Sequence, residues 1–365
     1  MKRNGKIELM RFLFSIGVLV FHINQQLWSY KKTIAPGVSL CKRGNMGVEF
    51  FFLVSGFLMA KSIAGRIRRE GSLTNSDTLG TETLQFLWRK AKGILPYHVP
   101  YCLLMLALLW QTHADDRMEL VRRLPSFFLV NRTGLMGDSS NLLGVEWYLS
   151  AMFLAMAVLY PLLRRHYDLM ARLVCPVAAL LILGWMQKTY GYLTTSTQWD
   201  GLTFHCNLRA IAELSLGVTC YEVSTALQKR SFTTPQRLLF SVAEALCYGL
   251  TFRYICSLLE ASYEVSVVLL LTVAVTLSFS QVGLLAKTPL FQNRVCVFLG
   301  GVSLPIYLIQ QLFQDGIRFY CPDLPNRDKA IWMFVLTVGF GALSYVVVTL
   351  VNRLRTLERP HPKHH

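Results

Sequence analysis

Acidic residues are scarce in this chain. It has 21 Asp and Glu against 37 Lys and Arg in 365 positions, and charged residues of both signs make up only 16%. A soluble chain carries nearer a quarter, so a water-facing globular surface is excluded over most of the length. None of the nine cysteines forms a C-x-x-C pair, which argues against a zinc-ribbon or thioredoxin-type site. There is no internal repeat, no sustained heptad and no low-complexity tract, and nothing after residue 351 is long enough for a soluble domain. An A-x-A-like cleavage site is also missing after the first apolar run. Lys2, Arg3 and Lys6 therefore read as anchors of a retained span, not as the head of a secretion signal.

What the chain does have is apolar residues, 53% of the total, at a mean hydropathy of +0.39 and gathered into runs. The expected fold class is all-α: a polytopic membrane protein with about ten transmembrane helices in one domain, residues 1–365. The expected spans are 9–28, 47–63, 94–111, 145–163, 173–186, 208–223, 238–258, 265–281, 295–313 and 331–351. The basic N-terminal cluster and the basic tail (Arg353, Arg355, Arg359, Lys363) predict that both termini are cytoplasmic. The net charge of +16 does not call for nucleic acid. The basic residues flank apolar runs, where they set orientation and touch anionic headgroups. Residues 64–93 are expected as a basic inner segment with a polar loop at the centre, GSLTNSDTLGTET. Pro125 to Val130, too short to span, is expected to be re-entrant or interfacial.

The first span, LMRFLFSIGVLVFHINQQLW, contains two ionisable residues, Arg11 and His22, eleven positions apart. Eleven residues of helix make about three turns and about 16 Å of rise, so both project from one face, one near each membrane surface. Ionisable groups inside a span normally face a protein interior or a watery cavity. The blander alternative is a snorkelling Arg and a His satisfied by a neighbouring helix. Glu49 lies near the outer end of the second span, within side-chain reach of His22 if the two helices are neighbours. A carboxylate on one ring nitrogen fixes the tautomer and makes the other nitrogen a better base. The blander role for Glu49 is a headgroup-level surface residue.

Ser55-Gly56 lies deeper in the same span, where a small-residue step admits close approach by a helix or ligand. At the entry to the third span, WRKAKGILPYH places Arg89, Lys90 and Lys92 at the inner surface. Arg89 and Lys92, spaced i and i+3, share a face that suits phosphates, although such clusters usually serve only as anchors. Arg209 and Glu213, at i and i+4, are expected to neutralise each other. Glu244 and Arg253 fall on opposite faces of one span, and His98 is expected to be structural near the inner interface. Cys41, Cys206 and Cys321 fall in loops expected outside, where a disulfide between two of them is conceivable. The terminal histidines are a weak metal signal.

These motifs together resemble acyltransferase family 3, the integral-membrane acyltransferases that modify bacterial surface and secreted glycans. The resemblance rests on R-x10-H in the first span, GVEFFFLVSGFL in the second, WRKAKGILPY, EWYLS at 146–150 and GGVSLPIYLIQ at 300–310. It implies an essential Arg at Arg11, an essential His at His22 and the family's acidic residue at Glu49. Two departures stand out. The family's R-x-x-R appears as Arg89-x-x-Lys92, which keeps charge but loses bidentate phosphate recognition. Its Y-L-x-H appears as Tyr307-Leu308-Ile309-Gln310, so a second catalytic histidine is excluded there.

The resemblance implies transfer of an acyl group, acetyl first among candidates, from cytoplasmic acetyl-CoA or another acyl-CoA to a hydroxyl of an extracytoplasmic glycan. The setting would be a bacterial inner membrane. In that scheme Arg11, Arg89 and Lys92 hold the donor's phosphates, and His22, oriented by Glu49, acts as general base or acyl carrier. Ser55 and Trp147 are candidate substrate or oxyanion contacts, and no metal is required. Three rivals remain at this stage: an acyl relay feeding a separate transferase, a glycan transporter or flippase, and a non-catalytic membrane scaffold.

Overall fold

The computed structural model describes residues 4–26, 33–35, 38–71, 76–112, 117–135, 141–193, 197–289 and 291–357. The expected end of the first span at Trp28 lies outside the described residues, as does the tail from 358, with Arg359, Lys363 and its histidines. The chain forms helices α1 (Gly5–Gln26), α2 (Gly47–Glu70), α3 (Ser76–Thr112), α4 (Arg117–Arg123) and α5 (Trp147–Arg165). The single turn α6 (Tyr167–Leu169) runs through a wider turn at 170–174 into α7 (Cys175–Tyr190). Then come α8 (His205–Gln228), α9 (Thr234–Ile255), α10 (Glu264–Ser280), α11 (Arg294–Tyr320) and α12 (Asn326–Leu357). Two small antiparallel hairpins, β1 (Thr33–Ala35) with β2 (Val38–Ser39) and β3 (Trp199–Asp200) with β4 (Thr203–Phe204), decorate the connections.

Among the described residues, nine helices are long and apolar enough to cross a membrane, so the protein is a polytopic membrane protein. Of the ten expected spans, the sixth, 208–223, falls on α8, which is not among the nine. Arg209, Glu213 and Glu222 dilute its apolar character. It nevertheless lies inside the bundle, packed against α2, α5, α7 and α10. Its polar groups face protein, and this explains both the low hydropathy and the interior position. The most apolar window of α2 is 78% buried and that of α12 only 11%. The first is therefore a core helix and the second presents most of its surface outward.

Close approach of α2 and α8 depends on two glycines. A Cβ on Gly56 would collide with the Leu214 carbonyl, and one on Gly217 with the Leu53 carbonyl. The Ser-Gly step is thus occupied by a neighbouring helix. The inner segment 64–93 also differs from expectation, because α2 continues to Glu70 and α3 already begins at Ser76. Much of the expected polar loop is helix. It is anchored by buried Glu82, which accepts hydrogen bonds from Arg164 Nε at 2.9 Å and Tyr160 Oη at 2.7 Å. The short apolar patch after α4 forms a tight 3-10 turn over 124–128, with Phe128 79% exposed at its end. The expected fifth span, 173–186, is extended at both ends to Tyr167–Tyr190.

Candidate active site

Three cavities follow one another along α1. The first, of about 510 Å³, is lined by Glu8, Arg11, Lys61 and Gln228. The second, of about 240 Å³, is lined by Arg11, Ser55, Lys90, Tyr148 and Tyr307. The third, of about 310 Å³, is lined by His22, Asn45, Gly144, Trp147, Arg209, Tyr307, Gln311 and Gln314. Arg11 is shared by the first two and Tyr307 by the second and third. Arg11 and His22, the two ionisable residues of the first expected span, therefore both face protein cavities.

The second and third cavities meet at an aromatic constriction. Phe51, Tyr148 and Tyr307 form a triangle with ring centroids 5.9–6.1 Å apart. Ser55 Oγ lies 3.4 Å from Tyr148 Oη, and Tyr307 Oη donates to the Val145 carbonyl at 2.9 Å. These polar edges fix the rings in place. The cavities lined by Arg11 and by His22 thus adjoin at Tyr307, the one member of this triangle that lines both.

The expected pairing of His22 with Glu49 is not what the fold provides. Glu49 is fully buried and turns to Arg209, receiving hydrogen bonds from both Nε (2.9 Å) and Nη2. Arg209 Nε also reaches Glu213 at 3.1 Å, the i, i+4 contact expected from the sequence. A buried guanidinium needs such a partner from another helix, because two carboxylates satisfy its fork better than one. The planar Arg209 head also lies 5.5 Å from the Trp147 ring centroid, a cation–π distance.

The partner of His22 is Gln310, with Nδ1 and Oε1 3.1 Å apart. Gln310 Nε2 donates to the Tyr307 carbonyl at 2.8 Å. That bond fixes which end of the amide carries the hydrogens, so Oε1 faces the ring and accepts from Nδ1–H. The Nε2 lone pair of His22 is then the one left for chemistry. Sequence reasoning missed this contact. The signal was the match of Gln310 to the histidine position of the Y-L-x-H motif, which invited dismissal once the imidazole was absent.

Toward the N-terminal end of α1, Arg11 bonds Glu8 at 3.2 Å and remains 31% exposed on its side chain. Lys90, and neither Arg89 nor Lys92, joins it in lining the second cavity. Arg89 and Lys92 are exposed, and Lys92 Nζ sits 5.4 Å from the Trp88 ring centroid. One helical step decides this, since Lys90 is about 100° of rotation from Arg89. Asn45, which lines the third cavity, has a buried Oδ1 without a hydrogen-bond partner.

Other ionisable groups pair away from these cavities. Lys6 and Glu244 form a buried ion pair at 2.7 Å. His98, expected to be structural, lies in α3. It is fully buried, its Nε2 2.9 Å from Glu146 Oε2, with Cys102 Sγ 3.5 Å from the same nitrogen. Among the described residues this is the cluster whose donors converge closely enough to hold a metal ion, and its donor set suits zinc. Of the cysteines expected in outer loops, Cys206 is buried in α8, and Cys41 lies next to Cys256.

No curated protein matches this chain in sequence. A family model described as an acyltransferase domain does match, over residues 4–351. Cavities strung along a helix with an arginine near one end and a free imidazole nitrogen near the other fit that description, and the chain belongs to acyltransferase family 3, as an integral-membrane acyltransferase.

Proposed function

We propose that this acyltransferase moves an acyl group, acetyl first among candidates, from cytoplasmic acyl-CoA to a hydroxyl of an extracytoplasmic cell-surface or secreted glycan. The observation that carries the reading is the placement of His22. Its Nδ1 is pinned by Gln310, and it lines a cavity that abuts, at Tyr307, the one lined by Arg11.

The residues fit an acyl-CoA donor at the N-terminal end of α1. Arg11, Lys61 and Lys90 supply cations for phosphates in two joined cavities, and the second is a narrow, mostly apolar cleft suited to a thin arm. The donor supplies an activated thioester. His22 Nε2 takes the proton of the acceptor hydroxyl as its oxygen attacks the carbonyl carbon, then returns that proton to the departing thiol. Asn45 Oδ1, buried and unpartnered, accepts a hydrogen bond from an acceptor hydroxyl. The Phe51–Tyr148–Tyr307 constriction keeps water from the thioester until an acceptor is present.

Positive-inside bias puts the N-terminal end of α1 in the cytoplasm, with α8 as the tenth crossing and a bacterial inner membrane as the setting. Glycan acylation in a null strain expressing wild type, His22→Ala or Arg11→Ala at equal levels tests the reading. Both variants lose acylation; normal acylation in the His22 variant overturns it. Purified wild type given acetyl-CoA and glycan without a partner separates direct transfer from an acyl relay.

A further inference from the structure

Cys41 and Cys256 come from segments 215 positions apart, yet their sulfurs lie 3.8 Å from each other. The two backbones are already docked. Ser39 N donates to the Cys256 carbonyl at 2.8 Å and Arg43 N to the Ile255 carbonyl at 3.0 Å. Ser39 Oγ adds a contact to the Ser257 carbonyl at 3.3 Å, and Arg43 Nη2 one to the Leu259 carbonyl at 3.0 Å. A disulfide needs sulfurs at roughly 2.05 Å, so the two must close by under roughly 2 Å to form one. Cys41 also sits at φ +52°, a region that costs a side chain energy and that glycine occupies freely.

We propose that Cys41 and Cys256 are oxidised to a disulfide that fastens the α1–α2 connection to the end of α9 at the outer mouth of the catalytic cavity. The proposal rests on the orientation given above, which puts both thiols on the oxidising side of the membrane. The hydrogen bond from Cys41 holds the Cys256 thiol below its usual range, while that same contact pushes Cys41 up. Whichever of the two is the thiolate begins the exchange. As the thiolate, Cys256 attacks one sulfur of the disulfide of an oxidoreductase of the dithiol–disulfide exchange class, forming a mixed disulfide and releasing one thiol. Cys41 then attacks the Cys256 sulfur, giving the Cys41–Cys256 bond and releasing the second thiol. Two protein thiols and one carrier disulfide thus become one protein disulfide and two carrier thiols.

The bridge has a site to act on. Just past Cys41, Gly44 packs against the Gly17 carbonyl and against Phe21, the residue before His22 in α1. Asn45 then reaches the outer cavity. Tying this segment to α9 holds the rim of the acceptor cavity in place.

The test traps thiols with a permeant maleimide in living cells before purification, without reductant, followed by peptide mass spectrometry. The expected result is a Cys41–Cys256 linked peptide, lost on reduction, with both cysteines unlabelled beforehand. Full labelling of both cysteines in wild type overturns the proposal. Cys256→Ser, which leaves Cys41 single, distinguishes this failure from a wrong orientation. Labelling of its Cys41 by an impermeant maleimide in intact cells shows that Cys41 faces outward whatever the bonding. As a second measure, Cys41→Ser, Cys256→Ser and the double variant should each melt several degrees below wild type, by the same amount. Reductant should lower wild type to match; additive losses in the double variant contradict the bridge.

Discussion

Replacing Gln310 by Leu removes the acceptor for His22 Nδ1–H and the donor to the Tyr307 carbonyl while keeping the volume close. The net value of one hydrogen bond is about 1 kcal/mol, which at about 1.4 kcal/mol per decade is about fivefold in rate. The ring also loses its tautomer bias. In the serine-protease triad, the loss of the orienting carboxylate costs about 10⁴, an upper limit here because Gln310 is neutral. The expected loss in kcat/KM is therefore about 5- to 50-fold, concentrated in kcat, with acceptor KM little changed. The assay is initial acyl-transfer rate per amount of folded protein, alongside a melting curve matching wild type. A Gln310→Leu rate within about twofold of wild type, with His22→Ala inactive, would falsify the orienting role; about twofold is below what one hydrogen bond supplies.

Lys90→Ala should raise the donor KM about tenfold, in line with a charge-assisted hydrogen bond of about 1.5 kcal/mol. Arg89→Ala and Lys92→Ala should change it less than about twofold, since exposed charges are worth little; equal effects from all three would contradict the cavity assignment. Tyr307→Ala opens the aromatic constriction and should raise acyl-CoA hydrolysis without acceptor, read as thiol release in vesicles, while Tyr307→Phe should not. Glu49→Ala removes the charge-assisted hydrogen bonds to Arg209 but leaves it Glu213, and should cost about 1.5–3 kcal/mol, seen as a lowered melting temperature. Gly56→Val, which collides with the Leu214 carbonyl, should fail to accumulate as folded protein, and Gly65→Ala, with open space at its Cβ, should be tolerated.

Periodicity and hydropathy determined most of the architecture, because crossing a bilayer demands long apolar helices regardless of what they pack against. They also marked Arg11 and His22 as inward-facing, since eleven residues of helix fix a shared face whatever the neighbours are. The choice of partners was not legible. Whether Glu49 meets His22 or Arg209 depends on which helix lies beside α2, and nothing in the spacing of 208–223, though expected as a span, names α2 as its neighbour. Lys90 and Arg89 differ by a single step of rotation, which only the seating of α3 resolves. Gln310 approaches His22 across 288 positions of chain, a contact no local spacing encodes. Sequence determined which segments become helices and which face of α1 is polar. Tertiary packing alone decided which side chains meet in the cavities, because rotation and neighbour order are set by side-chain fit between helices distant along the chain.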